Sequence, residues 1–198
     1  MVGMGFTTLG NNKVSPKMII ELKTPMISFD EWKDLYNKAR SKQIPAEHYG
    51  YGIKVDASVL SFIPDLPLKP YFFFLTSNRK KAEFPIHVDG IPGSGNAASI
   101  NWALRGCDER SYTPFYECCS DIKWKPLDNS FFLENIEDAV ETHRGTMHDN
   151  HAYLFRSNLL HKGHCRLEDN TMRVVVKWEL EYDSWKTACT EFRNRDYI

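Results

Sequence analysis

From about Ala57 onward the chain is cut into short apolar runs: SVLSFI, YFFFLT, FPIHVDG, AASINWAL, TPFYECC, AYLFRSNLLH and RVVVKWELEY, bounded by Gly, Pro, Asn or Asp. Runs of this length read as strands, and about seven in succession predict a β sandwich or barrel. One clear helix signal precedes them. Ser28 and Glu31 have capping-box spacing, Trp32, Leu35, Tyr36 and Ala39 recur at helical intervals, and Pro45 closes the segment. Phe131 to His143 reads equally as a helical turn or a strand. The final SWKTACTEFRNRDYI is loosely helical around Trp185, Ala188 and Phe192, with an end expected to fray. No repeat or linker divides the 198 residues, so one mainly β domain with flanking helices is expected over 1–198. Within it, 1–56 is a helical and extended support, 57–182 the β core and 183–198 a tail.

Charge narrows the partners. With 25 basic against 26 acidic side chains the formal charge is −1, which removes the usual electrostatic argument for binding nucleic acid or an anionic membrane. A small molecule or a protein side chain is the favoured substrate. No run approaches the ~18 apolar residues of a spanning helix, and Met1 to Gly10 lacks the charged start and long apolar stretch of a signal peptide, so a cytoplasmic location is expected. Five cysteines, with Cys118 and Cys119 adjacent, make a poor disulfide framework and read as reduced thiols. Cys107, Cys118, Cys119 and Cys165 lack the CxxC spacing of structural zinc.

The chemistry is concentrated in a triplet. His87, Val88 and Asp89 form HxD at the end of an apolar run, followed at once by Gly90 and Pro92. On a strand, residues i and i+2 face the same way, so an imidazole and a carboxylate converge as a metal requires. The third ligand must come from His143, His148, His151, His161 or His164. The first three are spaced as fits neither a helix face nor a strand face, and read as surface residues. The segment AYLFRSNLLHKGHC, the turn LEDNT and the strand RVVVKWEL read as a hairpin. If its first strand is unbroken, His161 shares the apolar face with Tyr153 and Phe155 and is favoured over His164, although one bulge would reverse the parity. Arg173 opens the next strand, and its guanidinium fork suits a carboxylate.

In this order, HxD, the run SINWALRGC, the late His and the Arg resemble the 2-oxoglutarate- and Fe(II)-dependent oxygenases, the small phage and bacterial members in particular. The likeness spans roughly Tyr71 to Leu180. It implies a double-stranded β-helix, a jelly-roll of the cupin-like kind. It also implies His87, Asp89 and His161 as a facial metal triad, Arg173 on the distal carboxylate of 2-oxoglutarate, and hydroxylation of a substrate by O2 coupled to decarboxylation of 2-oxoglutarate to succinate. Two imidazoles and a carboxylate on one face suit Fe(II) and leave three positions open.

One departure matters. Many relatives continue Arg-x-Ser, whereas Arg173 is followed by Val174 and Val175, so another residue must supply the missing hydroxyl contact. Asn101, sharing a face with Ser99 and Ala103, is the first candidate and Tyr71 the second; either serves equally as a core or edge residue. Trp102, Phe115 and Trp124 read as core or wall. The run Asn78 to Lys81 reads as a solvated connection, and Gly93 and Gly95 lack the lysine and helix of a phosphate loop. The alternative to an oxygenase is a cupin-like metal-binding protein that is inactive or needs no co-substrate. The substrate is left open, because fold likeness does not choose one.

Overall fold

The computed structural model describes residues 17–49, 52–77, 85–89, 97–127, 130–164 and 172–198. Asn78 to Lys81, Gly93, Gly95, Cys165 and the LEDNT turn lie outside the described residues. In chain order the elements are β1 (Ile19–Glu21), α1 (Phe29–Arg40), β2 (Glu47–Tyr49), β3 (Gly52–Asp56), β4 (Tyr71–Ser77), β5 (His87–Asp89), β6 (Ala98–Arg105), β7 (Tyr112–Cys118), β8 (Trp124–Leu127), β9 (Ser130–Leu133), β10 (Ala139–Thr146), β11 (His151–Arg156), β12 (Arg173–Leu180) and α2 (Trp185–Asn194).

The helix α1 forms where its cap and spacing require. Ser28 Oγ accepts from the Glu31 amide at 3.2 Å, Asp30 and Glu31 occupy the first turn, and Lys38 and Arg40 the last, each sign suited to the helix dipole. Trp32, Leu35, Tyr36 and Ala39 are its buried face. Ser184 caps α2 in the same way.

The large sheet has the order β1-β11-β6-β12-β4-β3-β2, antiparallel at every step. Alternation splits it into two faces. Phe72 and Phe74 from β4, Ile100 and Trp102 from β6, and Val176 and Trp178 from β12 pack against α1 and α2 in the main apolar core. The Trp32 ring lies 4.9 Å from Phe72 and 5.1 Å from Trp102. Truncating one of these fully buried aromatics to alanine costs about 3–5 kcal/mol.

The opposite face carries Phe73, Ser99, Asn101, Tyr153, Arg173, Lys177 and Glu179. Across from it lie the smaller sheets β5-β9-β8 and β10-β7. His161 links these two through single bridges to His87 and Phe115, and a contact from Lys177 to Asp89 joins the large sheet to the smaller ones. The fold is mainly β, with antiparallel sheets and two helices, and among the described residues the sheets do not close into a barrel. No described helix is long and apolar enough to cross a membrane.

Several sequence expectations are corrected. SVLSFI is no strand: Asp56 accepts from the Ser58 amide at 2.8 Å and starts a 3-10 turn at Ala57–Val59, while Phe62 and Ile63 are exposed. The expected hairpin is absent, because β12 pairs with β6 and β4, and β11 with β6 and β1. The chain turns at Ser157 and crosses to the smaller sheets before His161. Phe131 to His143 resolves into the end of β9, a 3-10 turn at Ile136–Asp138 and the start of β10. The tail is tied down: Tyr197 O accepts from the Lys23 amide at 2.9 Å, and its ring packs 5.7 Å from Phe192. Residues before Ala57 do more than support, contributing β1, β2 and β3 to the large sheet.

Candidate metal centre

Three residues of β5 set the geometry. Val88 points into a small apolar cluster with Ile86, Leu133 and Leu160, so alternation turns His87 and Asp89 to the other side. His87 and His161 exchange both backbone hydrogen bonds, each at 2.9 Å, which makes them a directly opposed antiparallel pair. Their rings follow, with centroids 4.4 Å apart. The Asp89 amide donates to Ser157 O at 3.1 Å and fixes the next residue of the same crossing.

Both rings are oriented by their own backbone. His87 Nδ1 donates to Pro85 O at 2.8 Å and His161 Nδ1 to Leu159 O at 2.7 Å. A carbonyl can only accept, so in each neutral ring the proton sits on Nδ1 and Nε2 is the acceptor nitrogen, the arrangement of a metal-ligating histidine. His87 Nε2 lies 3.7 Å from Asp89 Oδ1 and His161 Nε2 lies 3.6 Å from Asp89 Oδ2. One ligand atom from each residue fits within 4.8 Å of the others. Adjacent ligands at ~2.1 Å from a shared octahedral ion are about 3 Å apart, so closure needs only a small contraction.

The protonation states also match. Burial, reinforced by the neighbouring His161, pushes His87 from its ordinary value near 6.5 down to about 3. Burial likewise lowers His161. For Asp89 burial acts the other way, but the Lys177 ammonium and then the two imidazoles outweigh it and bring the carboxyl to about 2. The triad at neutral pH is two neutral imidazoles and one carboxylate, ready for a cation without losing protons.

Two charged groups escaped the sequence reading. Lys177 Nζ is 2.6 Å from Asp89 Oδ1 and 3.1 Å from Glu179 Oε1, and both Lys177 and Glu179 are buried. Burial would lower the Lys177 pKa, yet Asp89 and Glu179 raise it above its ordinary value. The signal was alternation in RVVVKWEL: Val174, Val176, Trp178 and Leu180 face the helices, so Arg173, Val175, Lys177 and Glu179 face the site.

Arg173 is 7% exposed, and its Nε is buried without a hydrogen-bond partner among the described residues. A Cβ on Gly163, two residues past His161, would stand 3.3 Å from Arg173 Nη1, so the guanidinium lies along the segment that carries the third ligand. Asn101 stands opposite Lys177 on one side and Tyr153 on the other, and its Oδ1 accepts from Ser99 Oγ at 3.0 Å. Tyr71 is marginal: half-buried at the start of β4, it packs on Phe73 and under Lys54 Nζ, 4.6 Å from the ring centroid.

The other histidines are elsewhere. His164 stacks on Tyr112 at 4.5 Å, His151 pairs with Glu21 at 2.7 Å, and His148 lies 3.9 Å from Glu109. Among the described residues only His87, Asp89 and His161 form a metal-competent group. Compared with models of protein families the chain matches none, and a comparison with curated proteins also finds no match.

Proposed function

We propose that this chain is an Fe(II)- and 2-oxoglutarate-dependent oxygenase that hydroxylates a small molecule or a protein side chain. The observation that carries the reading is a buried His-Asp-His triad whose ring tautomers present Nε2, on a site that also holds a buried guanidinium with an unbonded Nε. We read the two layers as the walls of a double-stranded β-helix. In support, the chain alternates between them: β4, β6, β11 and β12 in the large sheet, β5, β7, β10 and the His161 segment opposite.

When bound, Fe(II) with 2-oxoglutarate would activate O2 as the oxidant, chemistry that protein side chains alone lack. The chain's own residues bind and orient. His87, Asp89 and His161 would hold the ion on one face. Arg173 would take the distal carboxylate through a charge-assisted pair, which explains an otherwise costly buried, under-bonded Nε. Val175, at the position where relatives carry Ser, packs with Ala103, Cys107, Met147 and Tyr153 and offers no hydroxyl. Asn101 is the better substitute donor, because it shares the inward face with Lys177, whereas Tyr71 sits at the rim.

Anaerobic titration with Fe(II) and 2-oxoglutarate is expected to give the weak visible charge-transfer band of a chelated keto acid. Asp89→Ala should abolish the band, and Arg173→Ala should keep metal binding while demanding much more 2-oxoglutarate. No band in the unaltered protein overturns the reading. Turnover indifferent to Arg173→Ala points instead to a co-substrate-independent cupin-like enzyme. Succinate release against a substrate panel then identifies the substrate.

A further inference from the structure

Lys177 is not one of the three residues that could hold a metal. It reaches from the large sheet across to Asp89 on the opposite layer, with Phe73 and Asn101 as its cross-strand neighbours. A buried ion pair is a weak source of net stability, since well-packed apolar residues of similar volume serve as well or better. Stability alone does not explain why an ammonium stands against the one triad member that has two ligand atoms.

Resting on that metal reading, we propose that Lys177 is a positioning residue. It engages Asp89 Oδ1 and thereby leaves Oδ2, the oxygen on the His161 side, as the single oxygen offered to a metal. Glu179, 3.1 Å from the ammonium on the same strand face, holds Lys177 in that pose and offsets its charge. A carboxylate with both oxygens available can chelate a cation through both. An octahedral ion with two imidazoles and a chelating carboxylate has two positions left, whereas a one-oxygen Asp89 leaves three. A two-point ligand and a further small molecule can share the ion only in the second case. Lys177 thus sets the number of open positions without touching the metal: its ammonium is engaged by two carboxylates, Asp89 and Glu179.

The test uses the full chain loaded with Mn(II) under nitrogen, with bound waters counted by pulsed electron paramagnetic resonance in 17O-water. The unaltered protein should hold three exchangeable waters, Lys177→Met two, and Lys177→Arg three again. Lys177→Met should bind Mn(II) at least as tightly as the unaltered protein, because a cation beside the ligand has been removed. It should also bind 2-oxoglutarate roughly tenfold or more weakly, the scale of second-layer effects at metal sites. A merely structural lysine would weaken both together and leave the water count unchanged. Three waters in a folded Lys177→Met protein overturn the proposal. If that variant does not fold, the Mn(II)-loaded crystal structure of the unaltered protein decides: Asp89 bound through both oxygens, or Lys177 turned away from it, overturns the proposal too. No Mn(II) binding by the unaltered protein fails the metal reading itself.

Discussion

His87 and His161 are buried as neutral bases, and that has a pH consequence for the metal-free protein. Unfolded, an imidazole titrates near 6.5; folded, His87 is held near 3 and His161 is lowered by the same burial. Between those values the unfolded chain takes up protons that the folded site refuses. Stability is therefore full above about pH 6.5 and falls as pH drops, by up to about 1.4 kcal/mol per pH unit for each ring. Asp89, lowered from 3.8 to about 2, adds a further loss only below 3.8. Urea midpoints should fall steadily from pH 7 to pH 4.5, and a constant midpoint over that interval would contradict the buried neutral rings. Arg173 obeys a different rule. A lysine there keeps the charge but loses the fork, so Arg173→Lys should weaken 2-oxoglutarate binding by roughly tenfold while Mn(II) affinity, read by the same titration, stays unchanged.

At the scale of elements, the end of β6 against the start of β12 decides where that guanidinium lies. The ladder shifts between Val174, opposite Arg105, and Val175, opposite Ala103, which leaves Leu104 as the extra residue of a bulge. Gly106 follows with φ +70°, and a Cβ there would stand 3.0 Å from Arg173 Cα. Gly106→Ala should cost about 1–2 kcal/mol of stability from the left-handed conformation alone. It should also weaken 2-oxoglutarate more than Mn(II), because it presses on Arg173 and leaves β5 untouched; equal losses for both would place the effect elsewhere. Such a bulge has no sequence signature, whereas the cap and the buried stripe of α1 were legible because they are local; its end was not, since the helix stops at Arg40, short of Pro45. The same locality misled the reading of β12. Adjacent runs were expected to pair, but its partners are distant in sequence; alternation in RVVVKWEL separates the faces, yet a lysine on a strand reads as solvent-facing, whereas all eight residues are buried between two layers. His161 emerged from a parity argument on a strand that in fact breaks at Ser157; what brings it beside His87 and Asp89 is instead a bridge to β5. β1 and β2 have three residues each, too few to carry a period.

For the molecule as a whole, the formal charge of −1 says nothing of the interior. Between the two layers stand Asp89 and Glu179 against Lys177 and Arg173, two negative and two positive groups, all buried. The set is balanced as it is. A divalent cation alone would leave two uncompensated positive charges, and a dicarboxylate alone two negative ones, whereas both together restore balance. Buried charge without a partner is expensive, so the two should bind with strong mutual coupling, and by linkage each must tighten the other by the same factor. Calorimetric titration of Mn(II) under nitrogen should give an affinity roughly tenfold or more higher when 2-oxoglutarate is saturating. Direct chelation contributes to that gain, so the discriminating ligand is glutarate, which has both carboxylates and no keto oxygen. Glutarate should retain part of the coupling in the unaltered protein and lose it in Arg173→Gln. If glutarate leaves Mn(II) affinity unchanged, the four buried charges do not act as one balanced set, and the metal and the guanidinium occupy electrostatically separate sites.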